Sequence, residues 1–77
     1  MLNADIRRVV VAGAGTMGVT LTRLFAQSGY DVTLWNRRQV SLDKAKDRIQ
    51  GDLAVLADQG RLSETPEVIT GRIAYTR

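Results

Sequence analysis

The residues best suited to bind a ligand are three glycines early in this 77-residue chain. They belong to the segment GAGTMG, residues 13–18, which matches the pattern G-x-G-x-x-G between an apolar run and a helical pattern. In that context Gly13 permits a tight turn, Gly15 lets a pyrophosphate approach the backbone, and Gly18 lets a helix pack closely on a strand. The alternative is a strand–helix connection that binds no ligand. We predict that a dinucleotide is held, partly through helix N-terminal N–H groups, by Gly13, Gly15, Thr16, Met17 and Gly18.

A second candidate group follows the next predicted strand, about 20 residues beyond the glycines. It consists of Asn36, Arg37 and Arg38. Proteins that bind NAD usually have an acidic residue here, which holds both hydroxyls of the adenosine ribose. Asn36 can bind a hydroxyl without repelling a 2′-phosphate, and the two guanidinium groups can bind a phosphate through paired hydrogen bonds. The group therefore predicts NAD(P)(H) with a preference for NADP(H). The alternatives are NAD use, no preference, or a turn with two solvated arginines.

The chain contains no histidine and no cysteine. Histidine is the commonest general base and the commonest metal ligand, and cysteine is needed for disulfides and thiolate metal sites. We therefore predict no catalytic residue and no metal site in this chain.

The charge and hydropathy patterns argue against several other partners. The net charge is +3, and the arginines are scattered along the chain rather than gathered in a stripe, so no nucleic-acid partner is expected. No apolar run approaches the roughly 18 residues of a membrane span, and the N-terminus lacks a signal-peptide core. We expect no membrane partner and a cytoplasmic location.

The elements that position these groups alternate between strands and helices. Three consecutive valines indicate a strand at 7–12, of the kind that is buried on both faces in a parallel sheet. A helix from Thr16 to Gln27 should bury an apolar stripe, and residues 31–35 form a second strand. The polar loop 36–39 precedes a longer helix with Ser41 as its N-cap, a short helix with Ser63 as its N-cap, and a strand at 72–76. The apolar stripe of the first helix is Met17, Leu21, Leu24, Phe25 and Ala26.

This β-α-β-α-α-β order predicts an α/β fold with a three-stranded parallel sheet in the order 3-2-1, which is a partial doubly wound (Rossmann) fold. Residues 1–77 are interpreted as the N-terminal part of a dinucleotide-binding domain. The edge of the first strand would lie open in this arrangement, and an open edge can pair with another chain. We therefore expect a homo-oligomer.

Two long stretches of the chain resemble a known family. "GAGTMGVTLTRLFAQSGYDVTLW" and "LDKAKDRIQGDLAVLADQGRLSETPEVITGRIAYT" are similar to the N-terminal cofactor-binding domain of the 3-hydroxyacyl-CoA dehydrogenases. The second stretch is the more discriminating, because the 6-phosphogluconate and 3-hydroxyisobutyrate dehydrogenases share a similar glycine pattern but lack the long helical insertion. A cofactor domain of that second kind is the alternative family.

The resemblance implies an oxidoreductase that transfers a hydride between a nicotinamide cofactor and a 3-hydroxyacyl-CoA or 3-oxoacyl-CoA. The family usually has aspartate where this chain has Asn36. Its catalytic histidine and glutamate partner lie well beyond position 77, so we expect acyl-CoA as a partner only of a complete enzyme. An alternative is that the chain is a catalytically inactive fragment or a nucleotide-binding module.

Overall fold

The computed structural model describes residues 8–77. The elements in chain order are β1 (Arg8–Ala12), α1 (Thr16–Gln27), β2 (Asp31–Trp35), α2 (Gln39–Asp58), α3 (Pro66–Thr70) and β3 (Ile73–Thr76). β2 lies between β1 and β3 and pairs in parallel with both, so the predicted order 3-2-1 and the predicted fold class are confirmed. Residue 7 of the predicted first strand lies outside the described residues.

The described part of the sheet buries one face. Val11, Leu34 and Ile73 lie in the core beneath the helices, whereas Val10 points to the opposite face and is 72% exposed. The prediction that the first strand is buried on both faces is therefore wrong for residues 8–77. The reason is that both crossovers advance across the sheet in the same direction, and right-handed connections of this kind place their helices on the same face.

The packing of α1 on the sheet depends on Gly18. A Cβ at this position would lie 2.0 Å from the carbonyl oxygen of Gly13, so only glycine allows the helix to come this close to the turn. Thr22 and Ala26 follow four and eight positions later and therefore lie on the same face of the helix. Both are 0% exposed. Small residues thus form the stripe of α1 that contacts the sheet.

The predicted apolar stripe of α1 is wrong at three of its five positions. Met17 is 77% exposed, and Leu21 and Leu24 are also exposed, while Thr22 is buried. Ala26 is buried as expected, and Phe25 packs against the core. The close approach at Gly18 rotates the small residues towards the sheet, which leaves the larger side chains at the flank of the helix. A pattern that weighs hydrophobicity alone cannot anticipate this rotation.

Both later helices begin at other residues than predicted. α2 has Arg38 as its N-cap, without a side-chain hydrogen bond, so Ser41 lies in the first turn and is not the cap. α3 has Thr65 as its N-cap, and its side chain accepts a hydrogen bond from the N–H of Val68 at 3.3 Å, so the expected Ser63 cap is also wrong. The residue at which the backbone enters the helix determines the N-cap, and a nearby serine does not by its type alone identify that residue. The apolar stripe of α2, whose residues step by three and four along the helix, faces the core: Leu42, Ala45, Ile49 and Leu53 are buried, and Leu56 packs against them.

Arg72 connects the C-terminus of α1 with the segment that precedes α3. One guanidinium nitrogen donates to the carbonyl oxygen of Ala26 in the last turn of α1 at 2.9 Å, and the group also bonds both carboxylate oxygens of Glu64, at 2.7 and 2.5 Å. A cation is favoured at a helix C-terminus, where the carbonyl groups lack partners. The pair therefore joins the segment before α3 to the end of α1.

We predict that Gly18→Ala lowers the free energy of unfolding by about 1–3 kcal/mol, because the added methyl group meets the backbone of Gly13. Urea denaturation of the wild-type and variant chains measures this change. The matched control is Gly51→Ala in α2, where a Cβ would meet no atom within 4 Å. That change should raise the stability by about 1 kcal/mol, since alanine is the better helix former. Equal effects of the two substitutions would contradict the packing account.

A second prediction concerns pH. The Arg72 guanidinium lowers the pKa of Glu64 below its usual value of 4.5 through their hydrogen bonds. A carboxyl whose pKa is lower in the folded state stabilises the fold above its unfolded pKa and loses that contribution as pH falls. Wild-type protein should therefore have a higher melting temperature than Glu64→Gln at pH 7, and the difference should shrink below pH 4.5. A difference that stays constant down to pH 3 would exclude the ion pair as its source.

Candidate functional site

The sheet brings the two predicted groups of site residues to the same edge. Ala12 at the end of β1 is the register partner of Trp35 at the end of β2. The glycine turn, residues 13–15, directly follows β1, and Asn36 directly follows β2. The N–H of Gly13 donates to the carbonyl oxygen of Trp35 at 2.7 Å, which extends the pairing by one residue. Carboxyl ends of parallel strands are where ligands bind in open α/β sheets.

Gly18 is the crowded position of the glycine motif, whereas Gly13 and Gly15 have open space around them. Gly13 has a φ of +101°, a conformation that side-chain-bearing residues rarely adopt, and it starts the turn. A Cβ at Gly15 would meet no heavy atom within 4 Å, in contrast to the clash at Gly18. The space beside Gly15 is therefore open to a ligand.

The N-terminus of α1 carries backbone donors that have no hydrogen-bond acceptor among residues 8–77. Its N-cap is Gly15, which has no side chain to cap the helix, and its first turn contains no acidic residue. The first helical hydrogen bond is from the N–H of Val19 to the carbonyl oxygen of Gly15, at 2.9 Å. The helix thus offers no acceptor to the N–H groups of Thr16, Met17 and Gly18. Their partial positive charge suits an anion such as a pyrophosphate.

Asn36 connects the glycine turn to the second predicted group. Its Oδ1 atom accepts a hydrogen bond from the N–H of Ala14 at 3.2 Å, and its Nδ2 atom donates to the carbonyl oxygen of Arg38 at 3.4 Å. Arg37 and Arg38 are exposed. Within residues 8–77, neither guanidinium lies within ion-pair distance of a carboxylate. Both cations are therefore available to a ligand at this edge.

The start of α2 adds a feature that the sequence reasoning missed. Arg38 is the N-cap and makes no side-chain cap bond, and the first turn of α2 contains no acidic residue. A second uncapped helix N-terminus therefore lies directly after the arginine pair. The signal was present in the segment RRQV, residues 37–40, which has neither a capping side chain nor an acid.

Other features of the described residues lie away from this edge. A groove of about 640 Å³ separates the C-terminal halves of α1 and α2, and none of the predicted site residues lines it. Residues 8–77 contain no group of three or more acidic, histidine or cysteine side chains that could hold a metal ion. No helix in this part of the chain is long and apolar enough to cross a membrane.

Comparison with known proteins agrees with the geometry. The family model "3-hydroxyacyl-CoA dehydrogenase, NAD binding domain" matches residues 8–77. A probable 3-hydroxybutyryl-CoA dehydrogenase of Deinococcus radiodurans is 41% identical over 66 residues, which are 86% of this chain and 24% of that protein. A glycerol-3-phosphate dehydrogenase [NAD(P)+] of Corynebacterium urealyticum is 48% identical over 40 residues, which are 52% of this chain and 12% of that protein.

The fold is also similar to that of a solved family member. The crystal structure of 3-hydroxybutyryl-CoA dehydrogenase from Escherichia coli K12 superposes with a TM-score of 0.86 at 32% identity, over 96% of this chain and 16% of that one. The chain spans at most about a quarter of the length of each of these proteins. On the match over residues 8–77 and these likenesses, the chain belongs to the 3-hydroxyacyl-CoA dehydrogenase family, and the matched part is the family's NAD-binding domain.

Proposed function

We propose that residues 13–18 hold the pyrophosphate of a nicotinamide dinucleotide. The observation that carries the proposal is the open space beside Gly15 next to the uncapped N-terminus of α1. The backbone N–H groups of Thr16, Met17 and Gly18 would donate to the phosphate oxygens. The side chain of Met17 is 77% exposed, so this residue would contribute through its backbone. Gly13 would shape the turn, and the missing side chain of Gly18 lets the helix lie close enough to the turn for its N–H groups to reach the ligand.

The adenosine ribose would lie beside Asn36, Arg37 and Arg38, and we propose a preference for NADP(H). Three features of this place support it. The asparagine carries no negative charge, the two exposed arginines carry positive charge, and the N-terminus of α2 is uncapped with no acid in its first turn. Each of these features favours the binding of a negatively charged 2′-phosphate, whereas the neutral 2′-hydroxyl of NAD(H) is favoured by fewer of them.

The parent activity would be hydride transfer between the cofactor and a 3-hydroxyacyl-CoA or 3-oxoacyl-CoA. The bound nicotinamide supplies the hydride chemistry, while this chain binds and orients the dinucleotide. The chain has no histidine, and we assign no catalytic acid or base to it. The family match and the relatives named 3-hydroxybutyryl-CoA dehydrogenase support this substrate class over that of the 6-phosphogluconate and 3-hydroxyisobutyrate dehydrogenases.

Calorimetric titration of the chain with NADPH and NADH tests the binding proposal. We expect both dinucleotides to bind and NADPH to bind more tightly. Gly15→Ala should weaken both by roughly tenfold or more, because its methyl group fills the space of the pyrophosphate. The folded chain has room for this methyl group, so stability should change by less than about 1 kcal/mol.

A double variant, Arg37→Ser with Arg38→Ser, separates the two parts of the proposal. It should reduce the preference for NADPH and leave the affinity for NADH nearly unchanged. Gly51→Ala, far along α2, serves as the control and should bind like the wild type. Wild-type binding that survives Gly15→Ala unchanged would contradict the pyrophosphate site, and a chain that binds neither dinucleotide would support the reading as an inactive fragment.

We also propose that two copies of the chain associate through β1. The N–H of Gly13 points to β2, so by strand alternation the backbone groups of Val10 and Ala12 point away from β2. Among the described residues no strand pairs with that side of β1. An antiparallel pair centred on Val10 would place each Arg8 opposite Ala12 of the second copy and thereby keep like charges apart.

Light scattering at increasing concentration checks this association. The wild-type chain should form a dimer, and Val10→Pro should shift it to a monomer, because proline removes an outward N–H donor at the centre of the pair. The control is Val55→Lys, which changes an exposed valine of α2 away from β1 and should leave the dimer intact. A wild-type monomer at the highest concentration would overturn the proposal.

A further inference from the structure

Both polar ends of the Asn36 side chain are already bonded within the protein. Oδ1 accepts from the N–H of Ala14 at 3.2 Å, and Nδ2 donates to the carbonyl oxygen of Arg38 at 3.4 Å. The backbone N–H of Asn36 donates to Thr76 in β3 at 3.0 Å, so the residue is anchored to the sheet. One acceptor site and one N–H of this amide, out of two of each, therefore already serve the protein itself.

The bond to Ala14 fixes the glycine turn. Two consecutive N–H groups of the turn, those of Gly13 and Ala14, are held by two consecutive residues at the end of β2, Trp35 and Asn36. Ala14 is half-buried and packs against the core. Without the Asn36 oxygen its N–H would be left without this acceptor, and a half-buried donor without an acceptor is unfavourable. The position of the turn beside α1 thus depends on Asn36.

The bond to Arg38 reaches the start of α2. The same carbonyl oxygen of Arg38 accepts from the N–H of Leu42 at 3.3 Å, which is the first hydrogen bond of that helix. Asn36 therefore links the glycine turn to the segment 36–38, which we call the arginine turn. Its partner Ala14 lies 22 positions earlier in the sequence. An aspartate here could keep the bond from Ala14 but could not donate to Arg38, because a carboxylate has only acceptors.

We propose that Asn36 is a positioning residue, which holds the glycine turn and the arginine turn in one geometry, and that it does not itself distinguish the two cofactors. Discrimination at the ribose then belongs to Arg37, Arg38 and the first turn of α2. This inference rests on the proposed function for its effect on the cofactor. Its structural part, the bond to Ala14, can be tested without any ligand.

The experiment compares Asn36→Ala and Asn36→Asp with the wild-type chain in two measurements. Amide hydrogen exchange by NMR reports the protection of the Ala14 N–H, with the N–H of Val32 in β2, which donates to Arg72 at 2.8 Å, as the internal control. Calorimetric titration gives the affinities for NADPH and NADH. The two variants separate the two bonds, because alanine removes both and aspartate keeps an acceptor for the N–H of Ala14.

Asn36→Ala should speed exchange at Ala14 but not at Val32. It should weaken the binding of NADPH and NADH by the same factor of roughly five to ten, the loss expected if the bond to Ala14 is the one that holds the turn. The ratio of the two affinities should stay at its wild-type value. Asn36→Asp should keep Ala14 protected and should lower the NADPH-to-NADH ratio, because its charge repels the 2′-phosphate.

Two results would overturn the inference. One is unchanged exchange at Ala14 in Asn36→Ala, and the other is an altered affinity ratio in that variant with NADH binding intact, which would make Asn36 a direct reader of the ribose. If the wild-type chain binds neither dinucleotide, the proposed function fails. Ala14 exchange would then still decide whether Asn36 holds the turn.

Discussion

The close approach of α1 to the end of β1 is the constraint on which the rest of the structure depends. At Gly18 the helix backbone comes so near the carbonyl oxygen of Gly13 that a methyl group would lie 2.0 Å from it. This contact fixes the rotation of α1 and turns Thr22 and Ala26 towards the sheet. It also brings the uncapped N-terminus of the helix next to the turn, where its N–H groups point away from the core. One packing contact thus determines both the core of the helix layer and the direction of the donors that could meet a phosphate.

The order of elements could be predicted from sequence because each strand and helix has its own local pattern. The valines of β1, the stripe of α2 and the glycines between β1 and α1 predict the parallel sheet and its order 3-2-1. The face of α1 that packs on the sheet could not be predicted from hydrophobicity, because it depends on a tertiary contact at Gly18. The exposure of Val10 could not be predicted either, since three consecutive valines fit a strand buried on one face or on both.

The candidate site follows the same division. The sequence identified the glycine turn and the group from Asn36 to Arg38, and their adjacency follows from parallel pairing of β1 with β2. It did not indicate that the Asn36 side chain bonds Ala14, because a contact between residues 22 positions apart requires the register of the strands. The uncapped start of α2 was missed for a different reason. Ser41 is a good capping residue by type, but the backbone turns three residues earlier.

These features make the carboxyl edge of the sheet an electropositive surface built mostly from backbone. Two helix N-termini, with no capping side chain and no acid in the first turn, lie after adjacent strands, and two arginines directly precede the second helix. The groove of about 640 Å³ between the C-terminal halves of α1 and α2 lies away from these donors. A dinucleotide with three phosphates would find its complement in charge at the edge and not in the groove.

Titration of the isotopically labelled chain with NADPH, followed by amide NMR, tests the central claim most directly. The account predicts the largest chemical-shift changes at the N–H groups of Thr16, Met17 and Gly18, with a second group of changes in the first turn of α2. Amides that line the groove, such as those of Leu24 and Val55, should hardly move. The largest changes in the groove, or none at the glycine turn when NADPH is in excess, would contradict it.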